Sequence, residues 1–304
     1  MLGGCMLSII LPKDIWTIIS SLDLSKLTEI RIRKDKPIMI HYGQYYYINK
    51  FGITHSSTDA LYASQEMIKS IILSSCQHSI YAHNEEIKQG YISLNSGMRI
   101  GVCGEIVWDN DNIKTIKNFS SLNIRIPHSV PNCSLNVIPY IANLCIHNTL
   151  VLSPPGAGKT TMLNDLARQF SVLNLATNIL IVDERYELGR DLDKLENIDI
   201  YKNCNKQFGI INGIRTMTPD VIILDELITS ADITALNYAI SSGVNIIAST
   251  HCANIFELDK KPIFKPLLDL GIFDRFVVLS RRLGPGTIEG VYNETKKCIY
   301  LGEK

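Results

Sequence analysis

Residues 149–163 read TLVLSPPGAGKTTML, and the types and spacing of these residues suit one kind of chemistry. An apolar strand over Thr149–Ser153 runs into Pro154, Pro155, Gly156, Ala157 and Gly158, then into Lys159, Thr160 and Thr161 at the head of a helix. Gly156 and Gly158 let the backbone bend so that successive N–H groups face inward. Those donors and the positive helix end together make an anion site. At this spacing Lys159, an exposed loop lysine by its position, reaches the β- and γ-phosphates of a nucleoside triphosphate. Thr160 can ligate Mg²⁺, and Thr161 falls near the α-phosphate. The usual G-x-x-x-x-G-K-[ST] pattern holds except at its first position, where Ser153 replaces Gly. The competing structural reading is a Gly-rich turn before a core helix.

A magnesium site also needs a carboxylate on an adjacent strand. Residues 221–227 read VIILDEL, a buried strand with Asp225 and Glu226 at its C-terminal end, where open α/β sheets place their ligands. Asp225 is expected to hold Mg²⁺ through water and Glu226 to polarise the attacking water. A second acidic strand end, ILIVDERYELG at 179–189, brings Asp183, Glu184 and Glu187. Glu184 and Glu187 are alternatives to Glu226 as the group that activates water, and a solvated turn is their structural alternative. A third strand ends in Ala248-Ser249-Thr250-His251, which places His251 as a γ-phosphate sensor.

The elements that must position these groups follow from hydrophobic period. Short apolar runs at 149–153, 179–183, 221–225 and 244–249 alternate with longer helical segments, which implies a mostly parallel α/β sheet. Beyond Phe276 a hairpin turns at Gly284-Pro285-Gly286. The earlier part reads as α+β. Ile30/Ile32 and Ile38/Ile40 flank a hairpin, Tyr45–Ile48 adds a strand, and Ser57 or Thr58 caps a helix that uses Leu61, Ile68, Ile71 and Ile72. A meander at 90–108 turns at Asn95-Ser96-Gly97, and Asp109–Asn112 forms another turn. The expected division is an α+β domain over 1–128, a proline-bearing linker over 129–140 and a P-loop domain over 141–304.

Composition bounds the partners. Of 304 residues 46% are hydrophobic and 20% charged, which excludes a disordered chain. The 30 basic and 30 acidic side chains cancel, so nothing draws the whole chain to nucleic acid or acidic lipid. The eight cysteines show no metal-binding spacing and suit a reduced, cytoplasmic protein with mostly buried thiols. No apolar run approaches the ~18–20 residues that span a bilayer, and residues 1–13 do not read as a signal peptide.

The acidic and histidine segments resemble the type II/type IV secretion ATPases. IVDERYEL at 181–188 is similar to their Asp box, IRTMTPDVIILDEL at 214–227 to the stretch around Walker B, and STHCAN at 249–254 to their His box. Four further stretches (27–40, 89–107, 123–130 and 273–294) narrow the resemblance to a sporulation family of endospore-forming bacteria. Departures are Ser153 in the loop and Ile228-Thr229 where Gly is usual after Walker B. The resemblance implies a RecA-like fold, ATP and Mg²⁺ as cofactors, and ATP hydrolysis by a homo-oligomer, a hexamer in that class. It implies arginines supplied in trans by the N-terminal domain, for which Arg99 and Arg125 are the candidates. It also implies a motor in the mother-cell cytoplasm, held to a channel complex by an integral-membrane partner and without membrane insertion of its own. A nucleotide-dependent nucleic-acid protein and an ATP-binding scaffold with little turnover are the alternative functions.

Overall fold

Alternating isoleucines build the first sheet. The computed structural model describes residues 2–302 apart from 78, 95, 96, 185, 190, 191 and 228. It divides into two units, Met1–His128 and Ser129–Lys304. In the first, α1 (Leu2–Ile10) and α2 (Lys13–Ser20) precede β1 (Leu27–Arg33), β2 (Met39–Tyr42), β3 (Gln44–Asn49) and β4 (Gly52–Thr54). Ile30 and Ile32 on β1 and Ile40 on β2 are fully buried, and Ile30 pairs with Ile40. After α3 (Gln65–Ser75) and α4 (Asn84–Lys88) come β5 (Tyr91–Ser93), β6 (Arg99–Asp109) and β7 (Asn112–Arg125). The strand order is β4-β3-β2-β1-β7-β6-β5. Asp109 pairs with Asn112 at the expected turn. Of the turn expected at Asn95-Ser96-Gly97, Asn95 and Ser96 lie outside the described residues.

The start of α3 differs from expectation. Its cap is Ser64, whose hydroxyl accepts the Met67 N–H at 3.1 Å, and not Ser57 or Thr58. Leu61 lies ahead of the helix because its backbone is used elsewhere. It donates to Ile48 O at 2.8 Å and accepts from Ile38 N at 2.8 Å, so the chain stays extended until residue 64.

The second unit begins with α5 (Ile138–Ile141). Then follow β8 (Thr149–Ser153), α6 (Lys159–Val172), β9 (Ile179–Asp183), β10 (Ile198–Lys202), α7 (Lys206–Met217), β11 (Val221–Glu226), α8 (Ser230–Ser241) and β12 (Asn245–His251). It closes with α9 (Ile255–Leu258), α10 (Lys265–Asp269), β13 (Arg275–Ser280), β14 (Thr287–Asn293) and β15 (Cys298–Leu301). Among the described residues these strands form one sheet in the order β10-β9-β11-β12-β8-β13-β14-β15, parallel from β10 to β13 and antiparallel beyond. Every residue of β8 and β9 is buried, as a parallel sheet covered on both faces requires. Alternate side chains enter two cores. Val151, Ile181 and Ile223 pack with Leu163 and Phe170 of α6, whereas Leu152, Val182 and Leu224 pack with Ile210 of α7 and Leu236 of α8.

Residues 129–140, expected as a linker, belong to the second unit. Ser134 and Val137 are fully buried. The buried Asp165 of α6 accepts Asn132 N–H at 2.9 Å, Ser134 N–H at 2.8 Å and the Ser134 hydroxyl at 2.7 Å. One carboxylate thus organises the segment, and removing it strands three donors. Asp165→Ala is expected to destabilise the protein by about 3 kcal/mol, read as a lower denaturant midpoint. An unchanged midpoint would show the segment to be loosely attached.

The cysteines are less buried than expected. Cys5, Cys103, Cys145 and Cys298 are exposed, and Cys76 and Cys252 are buried. Burial pushes the Cys76 thiol up to about 11, and burial with Asp165 beside it pushes Cys133 up to about 12, so both are poor nucleophiles.

Candidate functional site

The loop after β8 is shaped by its own glycines and by a turn from far along the chain. Gly156 and Gly158 adopt left-handed backbone, with φ of 71° and 87°. The first hydrogen bond of α6 runs from Met162 N to Gly158 O at 2.9 Å, so the N–H groups of Lys159, Thr160 and Thr161 have no acceptor within the helix. The β13–β14 turn braces the loop from outside, with Gly286 N donating to Ala157 O at 3.0 Å. A Cβ on Gly158 would stand 3.1 Å from Gly286 N and 3.3 Å from its Cα, so only glycine fits there without displacing backbone. Ser153, the departure from the usual pattern, ends β8 fully buried, and its hydroxyl donates to Pro154 O at 2.9 Å.

Three strand ends converge on this loop, though not in the expected order. Asp225 does not sit on a strand adjacent to β8, because β12 lies between β8 and β11. That intervening strand pairs His251 with Ser153 on one side and Ser249 with Glu226 on the other. The result is a chain of contacts across the sheet. Lys159 Nζ lies 3.0 Å from His251 Nδ1, and His251 Nε2 lies 3.4 Å from Glu226 Oε1. An ammonium can only donate, so Nδ1 accepts, and the ring proton sits on Nε2 facing Glu226.

Lys159 is 8% exposed, and burial lowers its pKa, while Glu226, Asp225 and Glu187 oppose that shift. The expectation of an exposed lysine fails because the side chain lies over the sheet toward β12. Asp225 is buried as well. Ser249 Oγ is buried without a hydrogen-bond partner among the described residues, an orphaned polar atom next to the Glu226 strand end.

The candidates separate by what holds them. Glu187 contributes to the field at Lys159, and its N–H donates to the buried Asp183 carboxylate at 2.9 Å. Glu184 is instead committed to the buried Lys206 of α7 at 2.6 Å. Thr160 and Thr161 are half-buried in the first turn of α6. Pro155 and Gly156 are exposed, Pro154 and Gly158 half-buried and Ala157 buried. Arg99 and Arg125 are cross-strand neighbours in the first unit. The Arg99 guanidinium lies 3.6 Å from the Tyr91 ring centroid, and Arg125 pairs with Glu29 on β1. Ile228, one of the two residues departing from the usual pattern after Walker B, lies outside the described residues, and the other, Thr229, caps α8.

Two features of the site escaped the sequence reading. Lys261 donates to His251 O, which fixes the strand end that carries the imidazole. The turn at 281–286 was legible as a hairpin but not as the wall of the loop. A signal existed in the paired arginines of SRRLGPG, which leave a strand next to β8.

Comparison with known proteins agrees with this architecture. A family model described as Sporulation stage III, protein AA matches residues 7–299. Stage III sporulation protein AA of Bacillus subtilis (strain 168) is 34% identical over 280 residues, covering 88% of this chain and 87% of that protein. Among solved structures, the pilus retraction motor PilT with bound ADP has a TM-score of 0.59 at 14% identity, covering 89% of this chain and 78% of its own. The ATPase DotB of Yersinia pseudotuberculosis also has a TM-score of 0.59 at 14% identity, covering 88% of this chain and 75% of its own. At such identity the likeness is one of fold, a mixed α/β, RecA-like architecture. The match along nearly the whole sequence goes further, and this chain belongs to the family of sporulation stage III, protein AA.

Proposed function

We propose that this chain binds Mg²⁺-ATP at residues 154–161 and hydrolyses it as the motor of a sporulation secretion-like channel complex between mother cell and forespore. The observation that carries the reading is the Lys159–His251–Glu226 chain, which ties the phosphate loop to the strand end bearing Asp225. The site's chemistry fits a triphosphate. Among the described residues, the first N–H groups of α6 have no acceptor within the helix, a side chain at Gly158 would meet the backbone of Gly286, and the buried Ser249 hydroxyl lacks a partner. The names of PilT and DotB, a motor and an ATPase, support the same class.

Lys159 would leave His251 for the β- and γ-phosphates. His251 then keeps its Nε2–H on Glu226 and orients that carboxylate. Glu226 accepts a proton from the attacking water, with Glu187 the nearest alternative and Glu184 set aside by its bond to Lys206. Mg²⁺, held by Thr160 and Asp225, would supply charge neutralisation on the phosphates. The first unit, residues 1–128, is assigned to subunit and partner contacts. The assembly is a homo-oligomer, a hexamer, tethered through an integral-membrane partner. Among the described residues no helix is long and apolar enough to cross a membrane.

The test is phosphate release from Mg²⁺-ATP by the purified protein over a range of protein concentrations. Specific activity is expected to rise steeply with concentration. Arg99→Ala or Arg125→Ala is expected to lower turnover ~10- to 1000-fold with little change in nucleotide affinity, within what a transition-state arginine supplies. Bound nucleotide with no phosphate release at any concentration would make the chain a scaffold. Concentration-independent turnover with both variants active would make it a self-sufficient monomer.

A further inference from the structure

We propose that Arg281 is a second cation of the phosphate loop, acting within its own chain to bind the nucleotide's phosphates alongside Lys159. The inference rests on the nucleotide reading of residues 154–161. Its geometry comes from the sheet. β13 runs parallel to β8 with Val278 opposite Leu152, so the chain leaves β13 level with the start of the loop. Arg281 is the first residue beyond that strand, and its Nη1 lies 3.9 Å from the position a Cβ on Gly156 would take.

The turn that carries Arg281 is a built structure. Gly284 N donates to Arg281 O at 3.2 Å, the Thr287 hydroxyl donates to Gly284 O at 2.7 Å, and Gly286 N is fixed to Ala157 O. The two adjacent arginines are treated differently. Arg282 is folded back onto the hairpin, its Nε 3.1 Å from Glu289 Oε1, and the Ser280 hydroxyl joins the same carboxylate. Arg281 is exposed, and its guanidinium has no hydrogen-bond or ion-pair partner among the described residues.

An unpaired guanidinium at the lip of an anion loop has an obvious use. Its planar fork matches two phosphate oxygens at once, and an arriving polyphosphate adds its own negative charge to a site where Asp225, Glu226 and Glu187 already act on Lys159. Lys159 approaches from the β12 side, through His251, and Arg281 from the β13 side. The phosphate chain is thereby held from two directions.

The experiment measures the affinity of fluorescent ATP and ADP analogues with Mg²⁺ for the full-length wild type, Arg281→Met, Arg281→Lys and Lys159→Ala, each checked by thermal melting without nucleotide. Arg281→Met, which keeps the side chain's length, is expected to bind about tenfold more weakly with an unchanged melting midpoint, and Arg281→Lys to fall between it and wild type. A loss confined to the ATP analogue places the contact on the terminal phosphate, and a shared loss places it on the inner ones. Both support the proposal. Wild-type affinity in Arg281→Met, with binding abolished in Lys159→Ala, overturns the role of Arg281 and leaves the nucleotide site standing. No nucleotide binding by the wild-type chain overturns both.

Discussion

Lys159→Ala is expected to lose at least ~100-fold in affinity for Mg²⁺-ATP, the combined cost of removing a cation and its charge-assisted hydrogen bonds from the triphosphate, and to remain folded. Lys159 is nearly buried, and Glu226, Asp225 and Glu187 act on its charge, so its loss removes one cation from the neighbourhood of those carboxylates. It also leaves His251 Nδ1 without its donor. Burial penalises the lysine's charge even as the carboxylates favour it, so the two effects partly cancel, and a small fall in melting temperature is expected. Titration of a fluorescent ATP analogue, with circular dichroism to follow folding, checks both parts. Wild-type affinity in this variant would sink the assignment of residues 154–161 as a phosphate loop.

Glu226→Gln separates binding from chemistry. The amide preserves size and keeps an oxygen near His251 Nε2, which lies 3.4 Å from Glu226 Oε1, but it cannot take a proton from water. Nucleotide affinity should stay near wild type while turnover falls ~10²- to 10⁴-fold. The same measurement on Glu187→Gln and Glu184→Gln decides between the carboxylates. Glu184→Gln is expected to show a stability loss above any catalytic one, because it weakens the ion pair to a lysine that is 5% exposed. If Glu187→Gln is the most damaging of the three, the water lies on the β9 side of the site and Glu226 is a positioning residue.

What could be read from the sequence was whatever depends on neighbours in the chain. The strands β8, β9, β11 and β12 announce themselves as apolar runs because a parallel sheet buries both faces. The loop residues, Asp225 and His251 follow because each stands at the end of such a run. β10 and β15 were missed because both are short sheet-edge strands with exposed positions that blur the alternation. The helix start at Ser64 was missed because Leu61 and Ala63 spend their backbone bonds on distant residues, a choice that no local pattern encodes. The site behaves the same way. Which groups stand at strand ends was legible. That β12 enters between β8 and β11 and that Lys159 rests on His251 depend on strand order, which spacing along the chain does not reveal.

The hydrogen bond from Gly286 to Ala157 has a consequence for how the protein comes into being. On the ribosome, β8 emerges with both of its sheet neighbours, β12 and β13, still unsynthesised, although all five of its residues are buried in the finished molecule. Until β12 and β13 arrive, β8 is an apolar strand with open edges, the kind of segment that pairs with the wrong chain. The loop that follows it likewise lacks its outer wall. The loop therefore takes its braced shape only after residue 286 has been made, and a polypeptide released before that point would carry every loop residue yet lack the brace that shapes them.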